Sequence, residues 1–483
     1  MTDESGQSYR QRAARAIGDP QLQKMLRLLQ ELLGKGAERS FAGLPGSEDL
    51  RREGRTLRQE AVENLDTLLE ALAAGIRHRG GRVFFAEDAA AANAYCVSLA
   101  RKHQVKNVVK GKSMVAEEVG LNHALAQNGI EVTETDLGEF IVQLAGEHPS
   151  HIIAPAIHKS RQEVGRIFAE KLGIDYTDDP PALTRAARQA LREKLLHADM
   201  GITGCNLACA ETGQITLLSN EGNISMATIL PRIHVAIMGM ERVTARLADL
   251  RTLLGLLTRG ASAQKMSAYV STIGGPAGNG QIDGPDEFHL VILDNGRSRI
   301  LADQRFREIL CCLRCGACLN ACPVYGIIGG HAYASPYPGP MGAVVSPLLF
   351  GINRHQDLCR GETLCGACKE ACPIHIDIPR MLLELRAQLA VGDRQWDVRQ
   401  TSAGEKIFYQ LWSLMIGKRP VYDLFLRCGS FIGRLLAGRK EVISRLPQPL
   451  SGWTMSRDLK PLAKESFTTR WKRLHKGSNR DQR

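Results

Sequence analysis

No stretch of the chain approaches the run of about 18 apolar residues that a membrane-spanning helix needs. Its opening residues, Met1-Thr-Asp-Glu-Ser-Gly6, have neither the basic nor the apolar region of a secretory leader. Cysteine is scarce outside one stretch: of thirteen, only Cys96, Cys205, Cys209 and Cys428 lie outside residues 311–372. These four read as small buried hydrophobes rather than a disulfide framework, and the concentration of the rest points to a reducing compartment, the cytoplasm. There is no zinc-finger spacing, no RNP signature and no interleaving of aromatic with basic residues, which argues against nucleic-acid binding. The G-x-G-x-x-G fingerprint in a dinucleotide-binding context is also missing, which argues against an ordinary nicotinamide enzyme.

What remains is a chain of 483 residues, 44% apolar, long enough for two or three domains with ordinary cores. Its net charge of +11 suits docking on acidic redox partners or contact with anionic lipid. The dominant signal lies in residues 311–373. Cys312, Cys315, Cys318 and Cys322-Pro323 have the C-x2-C-x2-C-x3-C-P spacing of ferredoxins with two [4Fe–4S] clusters. A cubane needs four converging thiolates; a tight turn supplies three, and the Cys before Pro reaches the other cluster. Cys365, Cys368 and Cys372-Pro373 repeat the pattern. The spacing predicts Cys312, Cys315, Cys318 and Cys372 on one cluster, and Cys322, Cys365 and Cys368 on the other. Glu362 stands where the second block's first Cys belongs. Cys359, Cys311, a carboxylate or water are open as the eighth ligand, as is a three-iron cluster. Structural zinc fits less well, since zinc sites usually lack the trailing C-x3-C-P.

Residues 1–80 read as helical. Asp19-Pro20 begins an apolar stripe from Leu22 to Leu33 that Gly34 should close. A second helix aligns Leu57, Ala61, Leu65, Leu68, Leu72 and Ile76. Arg51, Arg52, Arg55 and Arg58 are expected on a solvated face. From 82 onward short apolar strands alternate with helices: Val83–Phe85, Asn107–Val109, Glu131–Thr133, His151–Ala154, Ile215–Leu218, His234–Met238 and Leu290–Leu293. That alternation predicts an α/β domain with a mainly parallel sheet, whose ligands belong beyond the strands' carboxyl ends. The loops to watch there are Lys110-Gly-Lys112-Ser113, Glu134 to Glu139, His158-Lys159, Glu211, Glu221 and the Gly-rich run 274–280. A punctuated loop without long elements is expected between the Cys blocks, then a helix near 380–391. Apolar patches over 400–436 suggest amphipathic helices that dock on a partner or on the membrane face, or else pack into a core. A basic tail with Trp471, Lys472, Arg473 and Lys476 follows.

The stretches 111–118, 134–139, 155–159, 210–213 and 219–223, taken with both Cys blocks, Cys322 to Gly326 and Trp453 to Asp458, resemble the L-lactate utilisation protein B family along nearly the whole chain. The resemblance implies an N-terminal helical region (1–80) and a LUD domain (81–300) similar in fold to NagB, ribose-isomerase (RpiA) and CoA-transferase domains. It further implies a dicluster ferredoxin-type module (301–390) and a small helical C-terminal domain (391–483). In function it implies an iron–sulfur electron-transfer subunit, with two [4Fe–4S] clusters and no catalytic residue of its own, in a system that oxidises L-lactate to pyruvate for growth. The partners it implies are a cysteine-rich LutA-like subunit, a shorter LutC-like protein carrying only the LUD domain, and an electron acceptor. Family members have three Cys in the second block, matching Cys365, Cys368 and Cys372, and usually none at the position of Cys359. The competing readings are acyl or CoA chemistry at Glu211 or Glu221 with accessory clusters, and oxidation of glycolate or another 2-hydroxy acid.

Overall fold

The computed structural model describes residues 6–278, 280–399, 403–438, 441–448, 450–455 and 457–478. The opening residues 1–5, Asn279 of the Gly-rich run and the side chain of Lys476 lie outside that description. The chain divides into two units, Met1–Arg399 and Gln400–Arg483.

Among the described residues of the first unit there are ten strands: β1 (Arg82–Ala86), β2 (Asn107–Lys110), β3 (Glu131–Glu134), β4 (Met200–Thr203), β5 (Leu207–Cys209), β6 (Gln214–Ser219), β7 (Ile233–Gly239), β8 (Val243–Thr244), β9 (Tyr269–Ile273) and β10 (Glu287–Leu293). Six form one sheet in the order β1-β10-β7-β4-β2-β3, every pairing parallel. β7 is buried along its whole length, as expected of a central strand covered on both faces. Helices Ala89–Lys102 and Met114–Val119 pack on one face and helix Leu65–His78 on the other. A smaller mixed sheet, β8-β5-β6-β9, carries the predicted Ile215–Leu218 strand.

Several expectations change. His151–Ala154 is a turn rather than a strand: the buried His151 ring accepts the amides of Ile153 and Ala154 on Nδ1, both at 3.0 Å. Gly34 does not end its helix. Helix Pro20–Leu29 passes through a π turn, Gln30–Gly34, into helix Lys35–Ala42. The glycine is needed instead for a close approach, since a Cβ there would lie 3.2 Å from the carbonyl oxygen of Asn320. The second apolar stripe is a packing face, but two helices carry it, Ser47–Glu63 and Leu65–His78, broken at Asn64. The stretch between the Cys blocks contains a helix, Gly339–Phe350, begun by Pro340 in its first turn and buried from Gly339 to Leu348. Helix Ile378–Val391 follows the second block.

The arginine face is the largest change. Only Arg52 is exposed. Arg58 is fully buried and donates to the carbonyls of Glu241, Val243, Leu310 and Cys311. Arg51 donates to the carbonyls of Glu370 (2.6 Å) and Cys372 (2.7 Å), and Arg55 reaches His375 and Glu308. One helix face thus joins the small sheet to both cysteine blocks. Unpaired carbonyls in this seam would be costly, and the guanidinium fork suits several of them at once.

The second unit contains helices Ala403–Gly417 and Arg419–Ala437, a 3-10 turn Leu450–Thr454 and helix Phe467–Ser478. Its two long helices expose Phe408, Leu411, Leu414, Leu424, Phe431 and Leu435. Cys428 is exposed there as well, so it is not the buried hydrophobe expected. Among the described residues no helix is long and apolar enough to cross a membrane.

Candidate metal centre

The two cysteine blocks adopt the same local backbone. Arg314 and Leu364 both take left-handed conformations (φ 59° and 57°), and Gly316 and Gly366 follow with φ 79° and 88°. The left-handed step costs a side-chain-bearing residue energy, and glycine removes that cost at the second position. Each turn then enters a short helix, Ala317–Ala321 or Ala367–Glu370, which carries the third residue of its set, Cys318 or Cys368. Proline after Cys322 and Cys372 directs the chain away.

The structure brings Cys312, Cys315, Cys318 and Cys372 together around one small cavity, closed by Met341, Pro373, Ile374, Ile376 and Ile378. Burial and the neighbouring thiols push Cys318 well above the usual thiol range, and burial pushes Cys372 up to about 11. Thiols so placed lose their protons when a metal provides the positive charge, and a dry, all-sulfur pocket is a donor set that fits an iron–sulfur cluster. Amide groups point at the sulfurs: the N–H of Arg314 donates to Cys312 Sγ (3.3 Å) and that of Tyr325 to Cys322 Sγ (3.4 Å).

The remaining cysteines form a second group. Cys322 Sγ lies 3.3 Å from Glu362 Oε2, and the charges felt by the buried Cys368 thiol include Glu362 and Cys365. Cys365 is exposed, so this group lies nearest to solvent. Cys359 stands apart. It is fully buried in helix Gln356–Gly361, and its sulfur faces the carbonyl of His355. Cys311 is buried beside Arg58, outside the lining of the first cavity.

Positive charge from the α/β part surrounds the first group. Arg242 donates to the carbonyl of Cys312 (2.9 Å). Arg314, inside the block, packs over the Tyr337 ring with its guanidinium carbon 4.4 Å from the centroid. It also meets Glu241 Oε1 at 3.3 Å. Glu241 in turn pairs with Arg297 (2.8 Å), which grips Glu118 with two nitrogens (2.8 and 2.7 Å), and the Tyr337 hydroxyl closes the chain on Glu118. Two carboxylates and two guanidiniums are buried together with no net charge, and the charged partners hold the Glu241 carboxyl down at about 2 against the cost of burial. Sequence reasoning missed these residues. Arg314 is visible inside the motif, but Arg58, Arg242 and Arg297 come from distant segments with no local signature.

The other loops singled out in the sequence are mostly committed to internal contacts. Lys110 at the end of β2 is fully buried against Glu134 (2.8 Å) and Glu117 (3.5 Å), and Ser113 caps a helix of only six residues. Asp136 caps helix Leu137–Leu144, while burial and then Glu134 push the Glu139 carboxyl up to about 8. His158 and Lys159 both meet Glu147. Glu211 accepts the amide of Leu247 (2.7 Å), and Glu221 faces the amide of Leu137 (3.4 Å) beside Asp136 and Lys112.

Comparison with known proteins agrees with this architecture. The LUD domain family model matches residues 69–293, and that of the 4Fe-4S dicluster domain matches residues 308–376. The chain is 42% identical to lactate utilization protein B of Oceanobacillus iheyensis over 474 residues, 98% of each protein. It is also 42% identical to the protein of that name from Bacillus cereus over 434 residues, 90% of each. A solved structure, a DUF162 family protein from Deinococcus radiodurans, is 13% identical, with a TM-score of 0.27, over 47% of this chain and 98% of that one. With a parallel α/β LUD domain, a dicluster module and similarity along nearly its whole length, the chain belongs to the lactate utilization protein B family.

Proposed function

We propose that this chain is the iron–sulfur electron-transfer subunit of a system that oxidises L-lactate to pyruvate. The observation that carries the reading is the grouping of Cys312, Cys315, Cys318 and Cys372 around one cavity, with Cys322, Cys365 and Cys368 assigned to a second site. The lactate assignment comes from the names of the relatives. Each group holds one [4Fe–4S] cluster, which supplies reversible one-electron storage when bound. The segments divide the work as 1–80 helical seam, 81–300 LUD domain, 301–390 dicluster module and 391–483 C-terminal domain.

The residues around the first group set its redox character. Buried guanidiniums and amide N–H groups favour the more negative, reduced state, while Met341 and the isoleucines keep water out. The exposed Cys365 makes the second group the natural point of exchange with a partner. Oxidation of one lactate to pyruvate releases two electrons and two protons, so both groups are needed to hold one turnover's electrons. A cysteine-rich subunit and a LUD-only protein are the proposed partners, and the cytoplasm is the proposed compartment. The surplus of 62 Lys and Arg over 51 Asp and Glu suits acidic docking surfaces, an attraction that salt screens.

The test uses anaerobically purified full chain. Iron and sulfide are counted, and paramagnetic resonance spectra are recorded before and after L-lactate is added with both partners. About seven to eight iron per chain, reduced by lactate only when partners are present, is the expected result. Substoichiometric iron, or clusters that stay oxidised during lactate turnover, would overturn the reading.

A further inference from the structure

We propose that Glu362 is the eighth protein ligand, its carboxylate binding the iron that Cys322, Cys365 and Cys368 leave without a protein ligand. The inference rests on the iron–sulfur reading above and deepens it.

Three observations carry it. The first is an internal repeat with a constant offset of 50 positions (365 − 315, 368 − 318 and 372 − 322), which places Glu362 opposite Cys312. The backbone obeys the same offset. Arg314 and Leu364, then Gly316 and Gly366, share their left-handed angles, while Cys312 (φ −57°, ψ 128°) and Glu362 (φ −89°, ψ 147°) are both extended. Glu362 therefore projects from the backbone position that carries a first-group sulfur in the other block.

The second observation is the carboxylate's own surroundings. Glu362 is 8% exposed, with Oε2 3.3 Å from Cys322 Sγ. Its other oxygen, Oε1, accepts from the Tyr333 hydroxyl at 2.8 Å. The two oxygens are thus differentiated: one is held by a phenol and the other faces sulfur. The buried Glu362 carboxylate and the buried thiolates of Cys322 and Cys368 repel one another without a cation among them, and iron provides that charge. Arg386 does not supply it by contact: its polar contacts are the backbone carbonyls of Cys359, Arg360 and Glu362.

The third observation removes the cysteine rivals. Cys359 corresponds by offset to Ile309, and its sulfur is turned toward its own helix and the carbonyl of His355. Cys311 corresponds to Gly361 and lies beside Arg58 on the side of the first group.

An oxygen ligand holds iron less tightly than a thiolate does, because the softer sulfur suits the cluster better. The iron under Glu362 should leave first on oxidation. One electron passes to ferricyanide, which becomes ferrocyanide, one Fe2+ departs, and a four-iron cluster in its 2+ state becomes a three-iron cluster in its 1+ state.

The experiment titrates the anaerobic full chain with ferricyanide, reading released Fe2+ and the paramagnetic resonance signal of the oxidised three-iron cluster. Wild type is expected to release about one iron per chain early, whereas Glu362→Cys should resist that step. Glu362→Ala should carry about one iron fewer as isolated, and Tyr333→Phe should release iron sooner than wild type. Cys359→Ser should titrate as wild type. The first group's reduced spectrum serves in every variant as the control for an intact fold. If wild type and Glu362→Cys lose iron alike while that control holds, the ligand assignment is wrong although the clusters stand. If Cys359→Ser loses the early iron instead, Cys359 is the ligand. Wild type without stoichiometric iron and sulfide would remove the iron–sulfur reading itself.

Discussion

Arg242 illustrates how one side chain reaches the chemistry from another domain. It leaves the turn after β7 and donates to the carbonyl of Cys312, so its charge lies beside the first cysteine group. Replacing it by Gln should lower that group's reduction potential by on the order of 50 mV, and Arg242→Lys should restore most of the loss. A redox titration followed by paramagnetic resonance reads this directly, and an unchanged potential in the Gln variant would refute it. His234 makes a different prediction at the same scale. Burial pushes its ring down to about 3 from an ordinary value of 6.5, and Nε2 pairs with the Thr203 hydroxyl at 2.8 Å. The unfolded chain takes up this proton below pH 6.5, whereas the native chain resists until about pH 3. The stabilisation is therefore complete above pH 6.5 and is lost as pH falls, by about 1.4 kcal/mol per unit for this ring. Urea unfolding at pH 7, 6 and 5 should show the slope, and His234→Asn should reduce it. Equal slopes in the two proteins would rule the ring out as its source.

Among elements, helix Ser47–Glu63 binds the parts together through its arginines. Arg58→Met removes one guanidinium from four carbonyls and should cost about 3 kcal/mol or more, with iron content falling in parallel. Arg52→Met on the exposed side should change stability by no more than about 0.5 kcal/mol. Equal effects from the two substitutions would mean that the seam carries no stability. The same helix shows what could be read from sequence. The apolar positions at Leu57 and Ala61 announce a packing face, because helical period is local information. That Arg58 lies inside depended on carbonyls about 180 to 250 positions away, and nothing near residue 58 encodes them. His151–Ala154 failed for a related reason: its apolar run suggests a strand, but one imidazole that accepts two amides bends the chain. The strands β4, β5, β8 and β9 were not singled out, since β5 and β8 are only three and two residues long and β9 is largely exposed. The cysteine blocks were legible because their spacing follows the turn that each block forms.

At the scale of the first unit, the α/β sheet and the cysteine blocks belong to one compact body, but their stability has different sources. β7 and β10 are sealed by side chains on both faces, whereas the blocks are short turns, the first of them around a small cavity lined by cysteines. Removing iron with an oxidant and chelator should raise amide exchange in residues 312–322 and 362–376 and in the seam helix, and leave β7 and β10 protected. Hydrogen exchange read by mass spectrometry distinguishes this from global unfolding, in which the sheet would exchange as well. The basic surplus acts over the whole molecule too, and raising salt should slow reduction by partners more than it slows reduction by dithionite.

The placement of Cys372 among the side chains of the first block also bears on how the protein is made. Neither group can be completed by its own block: the first cavity lacks a wall until residue 372 has been synthesised, and the second group includes Cys322 from the earlier block. By then the ribosome has already released the whole α/β sheet, which domain-wise folding from the N-terminus allows to form first. The first cavity is thus completed only after every strand of the sheet has been made. A nascent chain interrupted before residue 372 lacks the one sulfur that the second block contributes to the first cavity.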